Sequence, residues 1–208
     1  MLKIYHVPGT RSTRIIWLCE ELGLPLQIET VSFSPDFRLS EEWLKKNPVG
    51  KVPVLEDGDL MMFESGAMIQ YILDRYAHGR LQPPPGTPEH AIYLQWSWFA
   101  EATFARPLGE IVNHRRNFDP EIMEVVQEMK NRVELCVSAV NDAIRDKEFI
   151  TGEFTAADIM LGYSLMLCTR LAPADKYPDA MRYWERLGER PGAQKAFGDI
   201  STGPLARK

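Results

Sequence analysis

Cysteine is scarce in this chain and scattered. Cys19, Cys136 and Cys168 are three among 208 residues, with no CxxC pair and no Cys/His spacing that would hold a metal. Each lies among apolar residues in a helical pattern, so the expectation is three buried free thiols in a reducing compartment. A positive charge excess is also missing. Lys and Arg number 24 against 29 Asp and Glu, a net charge of −5, which excludes a general attraction to nucleic acid or anionic membrane. The pair Arg115 and Arg116 reads as a solvated face. No apolar run is long enough to span a bilayer, and "MLKIYHVPGT" enters a strand-like run with no signal-peptide core. The expectation is a cytoplasmic protein with no metal, membrane or nucleic-acid partner.

What is present is two kinds of pattern in succession. "KIYHV" (3–7) reads as a strand closed by Pro8-Gly9, and Tyr5 reads as core. A helix follows from Ser12 to Leu22, with Ile15, Leu18, Cys19 and Leu22 on one face and Gly23 and Pro25 at its end. "QIETVSF" (27–33) alternates as a second strand, and "SEEWLKK" (40–46) suits a short helix. Val52–Glu56 and Leu60–Phe63 form an antiparallel pair around the hairpin signal Asp57-Gly58. A helix from Ser65 to about Ala77 closes the series, giving the order β-α-β-α-β-β-α. "HGRLQPPPGTPEH" then has the composition of a linker. Beyond it only helical patterns follow, near 88–116, 120–146, 155–171, 177–190 and 191–198. The expected architecture is an α/β domain over 1–78, a linker over 79–87 and an all-helical domain over 88–208.

Two short stretches carry more than secondary structure. In "NPVGKVPVLEDGDLMMFES" (47–65) a proline falls at the head of a strand, where a missing N–H is tolerated. A cis Val52–Pro53 bond would leave a backbone group of Val52 unpaired and presented outward. In "GEFTAADIML", Thr155 is placed as N-cap and Asp158 three residues into the helix, an acidic relative of the capping box. Phe154 and Ile159 are spaced as a hydrophobic staple. That arrangement makes Thr155 and Asp158 a structural cap rather than catalytic groups.

Taken in order, "PGTRSTR" after the first strand, "NPVGKVPVL", the hairpin ending in "ES", the proline-rich linker and "GEFTAAD" resemble the cytosolic glutathione transferase family over essentially the whole chain. The resemblance implies a thioredoxin-like first domain that binds glutathione as co-substrate. It implies a helical second domain that supplies the pocket for a small hydrophobic electrophile, and a homodimer. The implied chemistry is attack of the glutathione thiolate on that electrophile. Glutathione-dependent peroxide or disulfide reduction, and ligand carriage without turnover, are the alternatives. By this resemblance Val52 and Pro53 present backbone to the glutathione peptide as an added strand would. Glu64 and Ser65 hold the γ-glutamyl end, and Lys51 suits the glycyl carboxylate, though a solvated lysine explains it equally well.

The thiol needs activation, because a cysteine-type thiol titrates near about 8.5. Aligned on Pro8-Gly9 and Arg14, the position of the serine in serine-type members falls on Thr10, so this chain departs from serine there. Ser12, also a natural N-cap, is an equal candidate, and Arg11 is third as an electrostatic helper. Whether the subgroup is bacterial or theta/delta-like stays open. In the second domain Glu101 and Phe104, three apart in an aromatic-rich helix, are the candidates for the electrophile pocket.

Overall fold

The computed structural model describes residues 1–171 and 176–198. Its contacts divide the chain into two compact units. One holds residues 1–80 together with the chain from Gly188, and the other holds Leu81–Leu187.

The first unit is built on a four-stranded sheet in the order β2-β1-β3-β4. β1 (Leu2–His6) pairs parallel with β2 (Leu26–Thr30) and antiparallel with β3 (Val54–Asp57), which pairs antiparallel with β4 (Leu60–Met62). Parallel pairing of β1 and β2 requires a crossover, and α1 (Thr13–Leu22) supplies it. The helix ends at Gly23, whose φ of 68° is the left-handed cap its sequence promises. The β3–β4 hairpin turns on Gly58-Asp59, since Asp57 already pairs with Leu60. Between β2 and β3 lie α2 (Pro35–Arg38) and α3 (Glu41–Lys46), capped by the Ser34 and Ser40 hydroxyls. The short α2 has no apolar periodicity to announce it. After the hairpin comes α4 (Ser65–Tyr76). Ile4, Trp17, Leu18, Leu55, Met68, Ile69 and Ile72 form the core. Tyr5 belongs to a smaller cluster with Trp43 and Val54.

The second unit contains α5 (Pro88–Trp98), a π-helical segment (Phe99–Phe104), α6 (Ala105–Asn117), α7 (Met123–Ile144), α8 (Ala156–Leu171) and α9 (Pro178–Gly188), whose last residue passes into the first unit. The proline-rich stretch is fastened to these helices: the Ala156 amide donates to the Leu81 carbonyl at 2.9 Å, and His90 Nδ1 lies 2.9 Å from the Pro83 carbonyl. At the start of α8 the Asp158 carboxylate is fully buried. It accepts from the amides of Ile150 (2.9 Å) and Thr155 (2.8 Å), the Thr155 hydroxyl (3.1 Å) and the Tyr183 hydroxyl (2.5 Å). Every oxygen is in use by the protein itself.

The end of the chain departs from the expected division at 88–208. α10 (Pro191–Phe197) packs on α1 in the first unit; residues 199–208 lie outside the described residues. Arg190 grips the Glu21 carboxylate through Nε and Nη2 at 2.8 and 2.7 Å, and Trp17 Nε1 donates to the same carboxylate at 3.0 Å. Trp17 meets Phe197 edge-on at 5.6 Å. Gly192 permits the approach, because a Cβ there would lie 2.6 Å from Trp17 Cδ1. Enclosed by the sheet, α4 and α10, α1 is buried through Thr13–Cys19, including the whole Arg14 side chain.

Candidate functional site

The loop between β1 and α1 gathers polar groups where a helix begins. Gly9, at φ 76°, lets the chain reverse after Pro8. The Thr10 amide closes the turn on the Val7 carbonyl at 3.2 Å. Ser12 occupies the N-cap position but does not cap. Its backbone is already helical and its side chain makes no bond to the first turn of α1. The Ser12 hydroxyl lies 2.8 Å from both His6 Nδ1 and Thr10 Oγ1, and 3.3 Å from the Val7 carbonyl. The Thr10 hydroxyl donates to the Val7 carbonyl at 2.8 Å. His6, Ser12 and Thr10 therefore form one hydrogen-bonded chain.

That chain has an inner and an outer end. Ser12 is 0% exposed and Thr10 9%. Thr10 keeps a small share of its surface exposed, whereas Ser12 keeps none. Arg11 is half-buried in the same loop. The Ser12 amide has no partner among the described residues. The end of a helix rich in such N–H groups carries a partial positive charge that favours an anion.

One hydrogen bond joins this loop's helix to the second half of the site. Arg14 Nη1 donates to Ser65 Oγ at 3.2 Å, and both residues are buried. Ser65 opens α4, and Glu64 before it has φ 74° and ψ 103° with an exposed side chain. A non-glycine residue held there carries strain of about 1–3 kcal/mol, a pattern that gathers at ligand clamps.

The third part precedes β3. The Val52–Pro53 peptide is cis, β3 begins only at Val54, and neither backbone group of Val52 has a partner among the described residues. An open backbone at the head of a strand is an acceptor for an extended peptide. Asn47 Nδ2 fixes the turn by donating to the Lys51 carbonyl at 2.8 Å, while the Lys51 side chain is exposed.

The remaining candidates separate. Phe104 is completely buried, 6.0 Å from Phe99 ring to ring, so it packs the interior of the second unit and does not line a pocket. Glu101 is half-buried on the same segment. The three-residue spacing misled because it presumed α-helical turns, and a π-segment turns more widely. Thr155 and Asp158 act on each other in the second unit. Burial pushes the thiols up, Cys19 and Cys168 to about 12 and Cys136 to about 11, so none is a thiolate at neutral pH. The group that residue-by-residue reading overlooked is His6. Its signal was its place, a histidine at the end of the first strand, two residues before the Pro-Gly turn.

Residues 1–74 match the family model for the glutathione S-transferase N-terminal domain. Glutathione S-transferase 3 of Schizosaccharomyces pombe is 24% identical over 219 residues, covering 99% of this chain and 90% of the yeast protein. The crystal structure of a glutathione S-transferase from Actinobacillus pleuropneumoniae is similar at 29% identity and a TM-score of 0.81, covering 98% of this chain and 94% of that one. A glutathione transferase homolog from Lodderomyces elongisporus, crystallised with two GSH per subunit, shares the fold at a TM-score of 0.88 and 21% identity, covering 95% and 97% of the two chains.

Proposed function

The chain is a member of the glutathione S-transferase family, and on that premise we propose that it joins the glutathione thiolate to small hydrophobic electrophiles. The observation that carries the reading is the Arg14–Ser65 hydrogen bond. It ties the start of α1, where a thiolate would sit, to the start of α4, where the other end of glutathione would be held.

Each half of glutathione has chemistry to meet it. The Glu64 carboxylate suits the ammonium of the γ-glutamyl group. The Ser65 hydroxyl and the N-terminal amides of α4 suit its carboxylate. The open backbone of Val52 pairs with the peptide, and Lys51 meets the glycyl carboxylate. The sulfur then lies against the Thr10 hydroxyl at the positive end of α1. Donation from Thr10 stabilises the thiolate, lowering its pKa toward neutrality. The thiolate attacks the electrophilic carbon, a C–S bond forms, and the leaving group departs with its electron pair. In this reading Thr10, the more exposed of the two hydroxyls, is the catalytic one and Ser12 supports it from behind. Arg11 adds positive potential to the loop. Homodimer formation and a cytoplasmic setting belong to the same proposal.

A second reading rests on the Lodderomyces elongisporus homolog with two GSH per subunit. At a site that accepts a second glutathione, the thiolate would attack the glutathione sulfur of a mixed disulfide, forming glutathione disulfide as the old S–S bond breaks and the other sulfur leaves as a thiolate. The test is to assay glutathione with an activated aryl halide and, separately, with a small mixed disulfide. Aryl conjugate formation supports the transferase reading. Disulfide turnover without conjugate formation replaces it with the second reading.

A further inference from the structure

Thr10 donates its single proton inward, to the Val7 carbonyl. A catalytic hydroxyl must instead aim that proton at sulfur. One feature makes the switch inexpensive. The Val7 carbonyl retains the Thr10 amide at 3.2 Å when the hydroxyl leaves. What remains is the direction of the chain behind Thr10, and this depends on His6.

With a proton on Nδ1, His6 donates to Ser12, so Ser12 has no acceptor in His6. Its proton is then available to Thr10 Oγ1, 2.8 Å away. Thr10 accepts there and its own proton has no place in the chain except Val7 or the ligand. With Nδ1 bare, Ser12 donates back to His6, and Thr10 is drawn to donate inward to Ser12. A hydroxyl that accepts a hydrogen bond is also the stronger donor in its own right. We propose that His6 is a positioning residue, whose Nδ1–H orients the Ser12–Thr10 chain so that Thr10 presents its proton to the thiolate. This inference rests on the transferase reading, and it adds a residue behind the hydroxyl that touches sulfur.

The experiment measures thiolate absorbance of protein-bound glutathione against pH in wild-type protein, His6→Leu and His6→Asn. Asn places an amide N–H near the position of Nδ1, and Leu fills the space without a donor. The expected result is a titration midpoint higher by about one pH unit in His6→Leu, the scale of a lost hydrogen bond to the charged form. His6→Asn returns it toward wild type. An unchanged midpoint in His6→Leu, or equal shifts in both variants, overturns the proposal. Should His6→Leu fail to fold, Ser12→Ala cuts the chain at its middle and must raise the midpoint as well; an unchanged midpoint there overturns it too. A readout that needs no ligand is the ring ¹⁵N shift of His6, which must report a protonated Nδ1; a bare Nδ1 contradicts the proposal. Wild-type protein that binds no glutathione would fail the transferase reading itself, a result distinct from bound glutathione whose midpoint ignores His6.

Discussion

Two helix starts in this molecule use the same materials toward opposite ends. At α8, Thr155 and Asp158 close on themselves, and four donors from the protein converge on one buried carboxylate. At α1, Ser12 stands where a cap belongs, makes no cap bond, and passes its hydroxyl to His6 and Thr10 instead. The first arrangement is saturated and has nothing left for a ligand. The second ends on Thr10, which keeps slight exposure and donates to the Val7 carbonyl, outside the first turn of α1. A Ser or Thr at a helix start thus reads as structure when its partners are its own first turn. At α1 the partners lie instead on a neighbouring strand and loop.

The sharpest way to break this contrast is at the saturated end. Asp158→Ala strands the amides of Ile150 and Thr155 and the Tyr183 hydroxyl without their acceptor, and should cost about 3–5 kcal/mol. Urea unfolding monitored by circular dichroism measures it. A loss below about 1 kcal/mol would mean the carboxylate is no anchor. Gly192→Ala comes next. Its new methyl would press on Trp17 and loosen the packing that holds α1, costing about 1–3 kcal/mol in the same assay. A neutral result would mean the α1–α10 approach is looser than 2.6 Å implies.

A third helix start sharpens the comparison, because α4 holds Glu64 at positive φ. Glu64→Gly should raise stability by about 1 kcal/mol as strain is relieved, offset in part by the freedom glycine gains when unfolded. Glutathione affinity, read by calorimetry, should fall about tenfold with loss of the charged partner. Loss of stability together with unchanged affinity would assign Glu64 to structure. The smallest effect concerns Asp57. The Tyr76 hydroxyl foremost, and Tyr71 at 2.7 Å, hold this carboxylate below its ordinary range against the opposing effect of burial. A lowered folded pKa gives stability that is complete above the ordinary carboxylate value and drains as pH falls through the lowered one. The stability gap between wild type and Asp57→Asn should therefore narrow between pH 7 and pH 3, and a gap that widens would contradict the assignment.

The sequence made the strand and helix order of the first unit readable, because apolar period and turn residues agreed at nearly every element. It also made the start of α4 at Ser65 and the Thr155–Asp158 pairing at α8 readable, since each is a local pattern, while the cis Val52–Pro53 bond was expected only from the family resemblance. What escaped it was long-range. Nothing near residue 191 signals that Gly192 docks against Trp17. Nothing around Phe99 signals a π-segment, so Phe104 was placed in a pocket and lies in a core. The difference in exposure between Thr10 and Ser12, and the contact of His6 with Ser12, come from the fold of β1 against the loop, which a one-dimensional pattern does not record.

The most direct measurement is thiolate absorbance of bound glutathione against pH, in wild-type protein and in Thr10→Val. A wild-type midpoint well below the free thiol's, restored nearly to the free value by Thr10→Val and accompanied by a fall of about 10²-fold in conjugation rate, is the predicted result. Bound glutathione that titrates like the free thiol, or a Thr10→Val protein indistinguishable from wild type, would contradict the claim that the open hydroxyl chain at α1 activates the sulfur.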